Sequence, residues 1–338
     1  TYSSPYEKCF YMKGYTARSN QGIEIDNSER NVSAYENAID TIVGGDNDDT
    51  GYYFIFDENN EPQLVSIEDE PITFTLEGSG TEADPYLIHN PKEWNEATTK
   101  AQQTGIHFKL ANDIDFSGKE FYKMGSISNT FKGVLDGNNK TLRGIELKGG
   151  VYQGVVGYTA DTAIIKDLNV EASSVSKATY SGMIVGYNSG LIKHIYEKDI
   201  NITGTNYIGG TVGYNYRETA KVQTIEAENI EVEGNDYVGG IIGRNDYGVV
   251  REIKFDTKVT GNNYVGGVIG STNSNVLITN GVGKTEVIGN TNDVGGISGY
   301  GRISNFIIES GSSNKYGMIS NTYSSPYEKC FYMKGYTA

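Results

Sequence analysis

From Tyr152 to Tyr316 the chain repeats a short phrase in which an aromatic head is followed by glycines and small apolar residues. The phrases read Y-Q-G-V-V-G, Y-S-G-M-I-V-G, Y-I-G-G-T-V-G, Y-V-G-G-I-I-G, Y-V-G-G-V-I-G, D-V-G-G-I-S-G and Y-G-M-I. They open at Tyr152, Tyr180, Tyr207, Tyr237, Tyr264, Asp293 and Tyr316, in steps of 28, 27, 30, 27, 29 and 23 residues. Between phrases the pattern has period two. Ile253, Phe255 and Val259 share parity with Lys254, Asp256 and Lys258 between them, and Ile230 and Val232 alternate with Glu231 and Glu233. Such alternation predicts strands with one buried face. The units lack i, i+3, i+4, i+7 apolar spacing and the L-x-x-L-x-L phrase, which excludes helical and leucine-rich repeats. Short strands broken at Gly, Asn and Asp once per turn predict an all-β solenoid, a parallel β-helix, in which each coil covers the face its neighbour leaves bare.

The chain before the repeat reads differently. In Ser28 to Val43, Val32, Tyr35, Ala38, Ile39 and Ile42 fall at helical spacing before Gly44-Gly45, a helix stop. Gly51 to Glu68 reads as a hairpin turning at Asn59-Asn60. Glu77 to Pro85 is a polar lead-in, and Lys92 to Thr104 predicts a second short helix, with Trp94 packed at the end of the β-helix. The expected division is therefore a strand segment at 1–17, a small α+β cap or inserted subdomain at 18–80, the β-helix at 81–321, and a terminal coil or the start of a next module at 322–338.

The ends repeat each other. Thr1 to Ala17 reads TYSSPYEKCFYMKGYTA, and Thr322 to Ala338 is identical. Either a longer chain repeats this module in tandem, or one end was copied onto the other by design. The module then carries one cysteine, seen twice as Cys9 and Cys330, which is either a reduced thiol or a link between modules. The second copy follows the last phrase directly and is expected to complete the last coil. Head-to-tail stacking of copies would then cover strand edges left open at each end.

Composition narrows the function. The 338 residues carry a net charge of −15, with 43 Gly, 26 Tyr, 6 Pro and 1 Trp. That charge argues against nucleic acid and against an anionic membrane as partner. No apolar run reaches the ~20 residues that span a bilayer. The chain begins at Thr1 without Met, which reads as a mature or excised piece of something larger.

Three features invite chemistry. Asp46 to Asp57 imitates a calcium loop, with Asp46, Asp48, Thr50 and Asp57 offering side-chain oxygens and Gly51 at the sixth position. Thr at position 5, Asp at 12 and the strand-like Y-Y-F-I-F weaken the match, and the alternative is an acidic turn. Calcium is the one cofactor in view, and none is required. The phrase heads Tyr152, Tyr180, Tyr207, Tyr237, Tyr264 and Tyr316 form either a coil-stacking ladder or a platform for sugar rings, with stacking preferred. Asn188, Asn215 and Asn245 read as a turn ladder serving the backbone.

The phrases resemble the GLUG motif of large prokaryotic surface proteins. D-P-Y-L-I (Asp84 to Ile88), F-K-L-A-N-D-I-D-F (Phe108 to Phe116) and F-K-G-V-L-D-G-N-N-K-T-L-R-G-I (Phe131 to Ile145) look like the entry to such β-helices in adhesins and in accessory regions of surface proteases. The resemblance covers roughly Ser79 to Ile319 and implies right-handed coils and an extracellular, cell-surface setting. It implies a non-catalytic, rod-like module of a tandem adhesin or stalk, with neighbouring copies, or a surface glycan or protein, as partners. One alternative is a filament or sheath subunit joined end to end by strand pairing. Another is a β-helical carbohydrate-active enzyme or glycan-binding module, because the fold hosts such enzymes. Against enzymatic activity, Asp113 with Asp115, and Glu226, Glu228, Glu231 and Glu233, read as scaffold or solvent-face charges. His89, His107 and His194 are scattered, and no nucleophile-elbow or zinc-protease motif occurs.

Overall fold

A computed structural model describes the strands Phe10–Met12, Ile23–Ile25, Tyr52–Phe56 and Pro62–Ser66, and residues 76–273, 276–291, 293–319 and 329–337. The chain divides into two compact units, Thr1–Thr73 and Phe74–Ala338. In the first unit, Phe10–Met12 pairs in parallel with Ile23–Ile25. Tyr52–Phe56 and Pro62–Ser66 form an antiparallel hairpin, as the alternation between Gly51 and Glu68 predicts. The helix expected over Ser28 to Val43 lies outside the described residues.

The second unit is a parallel β-solenoid. The phrases supply one wall, a six-stranded parallel sheet of Val156–Tyr158, Val185–Asn188, Val212–Asn215, Ile242–Asn245, Ile269–Thr272 and Ser298–Tyr300. Parallel bridges at Met124↔Val156 and Ser298↔Ile319 extend this wall at both ends. The alternating segments supply long strands, among them Leu191–Gly204, Lys221–Glu233, Val249–Gly261 and Leu277–Gly289, each paired in parallel with the next. Short strands such as Asn206–Gly209, Asp236–Gly239 and Asn263–Gly266 close the turn.

Period two becomes columns of like residues running through the interior. One column is Leu168, Ile195, Ile225, Ile253, Gly281 and Phe306. Another is Val175, Ile202, Val232, Val259 and Val287, all buried. Gly281 interrupts the first column because a Cβ there would lie 2.1 Å from the Phe306 ring. The outward face pairs charges between coils, as in Lys198 with Glu228 at 2.9 Å and Lys258 with Glu231 at 3.1 Å. These pairs are exposed and worth little each.

The strands turn corners by left-handed backbone rather than by loops. Asp167, His194, Thr224, Glu252, Asn280 and Asn305 form one column of positive φ, between 52° and 62°. Tyr152, Tyr180, Tyr207, Tyr237 and Tyr264 form another, between 53° and 59°. A bulky L-residue is disfavoured there by roughly 1–2 kcal/mol, so neighbouring coils must hold it. They do so through the last glycine of each phrase. A Cβ on Gly213, Gly243, Gly270 or Gly299 would fall 2.6–2.7 Å from the backbone carbonyl carbon of Tyr180, Tyr207, Tyr237 or Tyr264 in the preceding coil. The spacing from Tyr to Gly in the phrase is thus a packing rule between coils.

At the upstream end, Pro91–Lys100 is the predicted second helix, capped by the Asn90 side chain, which accepts from Glu93 N at 3.0 Å. It stops at Lys100 rather than running to Thr104, because the chain turns through Gly105 (φ 72°) into the strand His107–Leu110. Trp94 is fully buried, donates Nε1–H to Tyr122 O at 2.9 Å and stacks on Phe121 at 5.4 Å. At the downstream end Phe331–Tyr332 pairs in parallel with Ile307 and Ile308, and Tyr336 is buried in the core with its hydroxyl donated to Gly317 O at 2.8 Å.

Gly243→Ala should lower stability by about 1–3 kcal/mol, the usual cost of overpacking, because its Cβ meets backbone on both the Tyr207 and Gly213 sides. Gly317→Ala, whose Cβ would meet only the Tyr332 ring among the described residues, at 3.9 Å, should stay within about 0.5 kcal/mol. Denaturant titrations of the two variants check the contrast.

Candidate functional site

The tyrosine column is continuous over five coils. Ring centroids lie 5.2 Å apart for Tyr152 and Tyr180, 4.3 Å for Tyr180 and Tyr207, 4.8 Å for Tyr207 and Tyr237, and 4.8 Å for Tyr237 and Tyr264. From Tyr180 onward the planes are within 9° of parallel. Tyr207 therefore has both faces covered by neighbouring rings, and the column presents edges. A sugar ring stacks on an exposed face, so this geometry serves stacking rather than a platform. Tyr316 is not the next rung. It bridges to Gly295, two places along from Asp293, which holds the rung after Tyr264. The last coil advances by 316 − 295 = 21 residues, so the 23-residue step between the phrases carries Tyr316 two places past the rung.

A second column, not anticipated from the phrase heads, runs beside the first. Tyr158, Tyr187 and Tyr214 share register in the phrase wall, with centroids 4.2 Å and 5.1 Å apart. The next rung is Arg244, whose guanidinium lies 5.0 Å from the Tyr237 ring centre and 5.9 Å from that of Tyr214. Arg244 donates to Asp246 at 2.8 Å, and Asp246 also accepts from the Tyr214 hydroxyl. Burial opposes the charge on Arg244, but Asp246 outweighs it and holds the guanidinium protonated. Burial pushes Tyr180 up to about 12 and Tyr187 and Tyr214 further still. These phenols stay neutral and act as hydrogen-bonding rods, not as acids or bases. The visible signal was the Tyr two residues after each of three phrases' small-apolar runs, V-G-Y in each case.

The asparagines form a buried polar chain. Thr159 Oγ1 donates to Asn188 at 2.8 Å, Asn188 Nδ2 to Asn215 at 2.8 Å, Asn215 to Asn245 at 2.6 Å, and Asn245 to Thr272 at 3.2 Å. The same amides serve the turns, since Asn188 bonds both Gly190 N and Gly190 O. Every member thus finds a partner, as a buried amide must.

One buried carboxyl went unread in the sequence. Glu197 shares an inward column with Val170, Ala227 and Phe255 and is 1% exposed. Its Oε2 accepts from the Thr211 hydroxyl, and its Oε1 has no hydrogen-bond partner among the described residues. Burial pushes its pKa up to about 7, opposed by the Thr211 bond. The signal was its parity with Ile195, which places a glutamate on an inward position.

An open groove of about 610 Å³ runs along the axis on the long-strand face. Its floor includes Tyr196, Glu226, Lys254 and Val282 in consecutive coils, and its wall includes His194, Glu252 and Asn305 at the positive-φ corner. The polar groups are engaged with one another: Lys254 with Glu226, Thr224 with Glu252, and Asn305 with Asn280. Asp113 and Asp115 lie elsewhere and serve the backbone, accepting from Thr141 N and Ser117 N at 2.8 Å each. Hydrogen bonds from Ser117 hold Asp115 below the usual carboxylate range. His89 pairs with Glu93 and His194 with Asp167, at 2.9 Å and 2.8 Å. Asp46, Asp48, Thr50, Asp57 and Cys9 lie outside the described residues. Cys330 is half-buried, and burial raises its thiol pKa. No cluster of three His, Cys, Asp or Glu able to hold a metal occurs among the described residues, and no described helix is long and apolar enough to cross a membrane.

No family model matches the chain. It is 28% identical over 153 residues to halomucin of Haloquadratum walsbyi, a match that takes in 42% of this chain and 2% of that protein's length. Among solved structures it is similar to a Bacteroides ovatus protein whose designation as an immunoglobulin A1 protease is provisional. The TM-score is 0.54 at 19% identity, over 77% of this chain and 86% of that one. That likeness is one of fold: the solenoid is shared.

Two outcomes follow. Tyr207→Gly should be milder than Tyr207→Ala, reversing the ordinary order, because both lose stacking but only alanine keeps the left-handed cost of about 1–2 kcal/mol; thermal melts compare them. The Glu197 proton is retained on folding and released on unfolding between the ordinary value of 4.5 and about 7. Stability from this group is therefore full below pH 4.5 and falls as pH rises to about 7, by on the order of 3 kcal/mol at 1.36 kcal/mol per pKa unit. Glu197→Gln should remove that decline, read as the difference between the two proteins' stability-versus-pH curves.

Proposed function

We propose that this chain is a non-catalytic, cell-surface structural module, one rod-like unit of a tandem adhesin or stalk. The observation that carries the reading is the coil-to-coil continuity of the tyrosine and asparagine columns, which spends the phrase residues on holding neighbouring coils together. A solenoid so braced is suited to spacing and display. The likeness to halomucin supports a part of a much longer chain, because the match takes in only 2% of that protein. The identical ends, 1–17 and 322–338, support the same tandem arrangement. The GLUG-like phrases agree with a surface setting.

A second reading, a glycan-binding module, draws on the axial groove, whose mixed amide, carboxylate and aromatic lining suits an extended neutral polymer. The protein should show no turnover of a polysaccharide panel or of immunoglobulin A1 over a day at micromolar concentration. Antibodies to it should label intact cells of its source. Cleavage of any of these substrates that is lost on substituting Glu226 or Glu252 would overturn the structural reading in favour of an enzyme in the groove.

A further inference from the structure

The two identical segments are seen in two different pairings. In the downstream copy, Phe331 and Tyr332 pair in parallel with Ile307 and Ile308 of the last long strand. In the upstream copy, Phe10, Tyr11 and Met12 pair in parallel with Ile23, Glu24 and Ile25. Phe10 and Phe331 are the same position of the repeat, as are Tyr11 and Tyr332. A strand has two sides, and the two pairings are compatible with one strand that uses both. Placed on one sequence, the registers agree: Ile307, Phe331 and Ile23 fall in one rung, and Ile308, Tyr332 and Glu24 in the next.

Among the described residues, the downstream strand is paired along one side alone, as an unfinished edge would be. Met333 N–H donates to Ile308 O at 2.8 Å, toward the last coil. Successive residues of a strand direct their backbone groups to opposite sides, so Tyr332 turns its own toward the open side. Phe331, Tyr332 and Met333 are 62%, 59% and 56% exposed, three large apolar residues in a row on a terminal strand. An edge of this kind is a ready template for another strand.

We propose that Phe331–Met333 is a shared strand, stacked on its own last coil by one side and receiving residues 23–25 of a second copy of this chain on the other. The occupant is identified by the upstream copy, where the identical segment already holds Ile23–Ile25 in parallel. In a tandem array the coils then continue across the module boundary. Between separate chains, the downstream copy of one competes with the upstream copy of the other for the same slot. The tethered upstream copy wins by its higher effective concentration, so the intact chain is self-capped. This inference deepens the tandem-module reading and rests on it.

Proline lacks the N–H that a ladder needs, which makes the test specific. Full-length Tyr11→Pro should vacate the slot and associate head to tail, with a light-scattering mass that climbs with concentration. Full-length Tyr11→Pro/Tyr332→Pro should remain monomeric, and the unaltered chain should be largely monomeric. A synthetic peptide of residues 322–338 should return Tyr11→Pro to monomers. On the unaltered chain, a fluorescent form of that peptide should gain anisotropy, whereas the same peptide carrying Tyr332→Pro should not. Equal association of the two full-length variants, as monomers or as aggregates, overturns the proposal, and so does equal binding of the two peptides. Neither result bears on whether the groove turns over a substrate, so this proposal and the non-catalytic reading fail separately.

Discussion

The solenoid depends on one contact repeated at every level: a glycine backbone laid against the left-handed bend of a tyrosine in the preceding coil. The bend turns the strand without a loop and keeps successive coils in hydrogen-bonding register. It is unfavourable in isolation for a residue as large as Tyr. It is tolerated because the glycine admits the backbone while the rings above and below clasp the side chain at 4.3–4.8 Å. Neither half works alone. A phrase that kept its tyrosine and lost its glycine would meet a Cβ at about 2.6 Å. Stability in such a structure resides between neighbours, as expected of a quasi-one-dimensional fold.

Around this contact the coil sorts its chemistry by direction. Inward columns are aliphatic, with Gly281 making room for Phe306. The phrase wall carries a buried amide chain from Thr159 to Thr272 in which each side chain serves both its own turn and the next coil. Two outward columns alternate sign between coils, Glu171–Lys198–Glu228 and Glu231–Lys258–Glu286, which offsets some self-repulsion in a chain of net charge −15. Glu197 breaks this sorting. It is a carboxyl set in an apolar column, and burial raises its pKa to about 7. Asparagine, threonine and tyrosine mark the wall that stacks, where Arg244 and Asp246 form a paired exception, while the Lys–Glu pairs lie on the long strands that meet water.

The ends of the solenoid are managed differently. Upstream, Trp94 on a capped helix packs with Phe116 and Phe121. Downstream, Tyr336 enters the core while Phe331 and Tyr332, in the strand before it, remain more than half exposed. A helix finishes a core; an open parallel strand invites its continuation.

Much of the fold was legible because a solenoid writes its period into the chain. The 27–30-residue steps, the parity of Ile253, Phe255 and Val259, and the Gly51 to Glu68 hairpin reflect local rules of backbone and burial, and a single strand obeys them without reference to its neighbours. The Asn188, Asn215 and Asn245 series was visible for the same reason. What pairs with what was decided only in three dimensions. That Tyr faces cover one another, that Arg244 replaces a tyrosine in its column, that Tyr316 slips two places from its rung, and that Glu197 is buried all depend on register between coils. Register is set by hydrogen bonds and packing across about 28 residues of intervening chain, and a linear pattern read one strand at a time does not contain them.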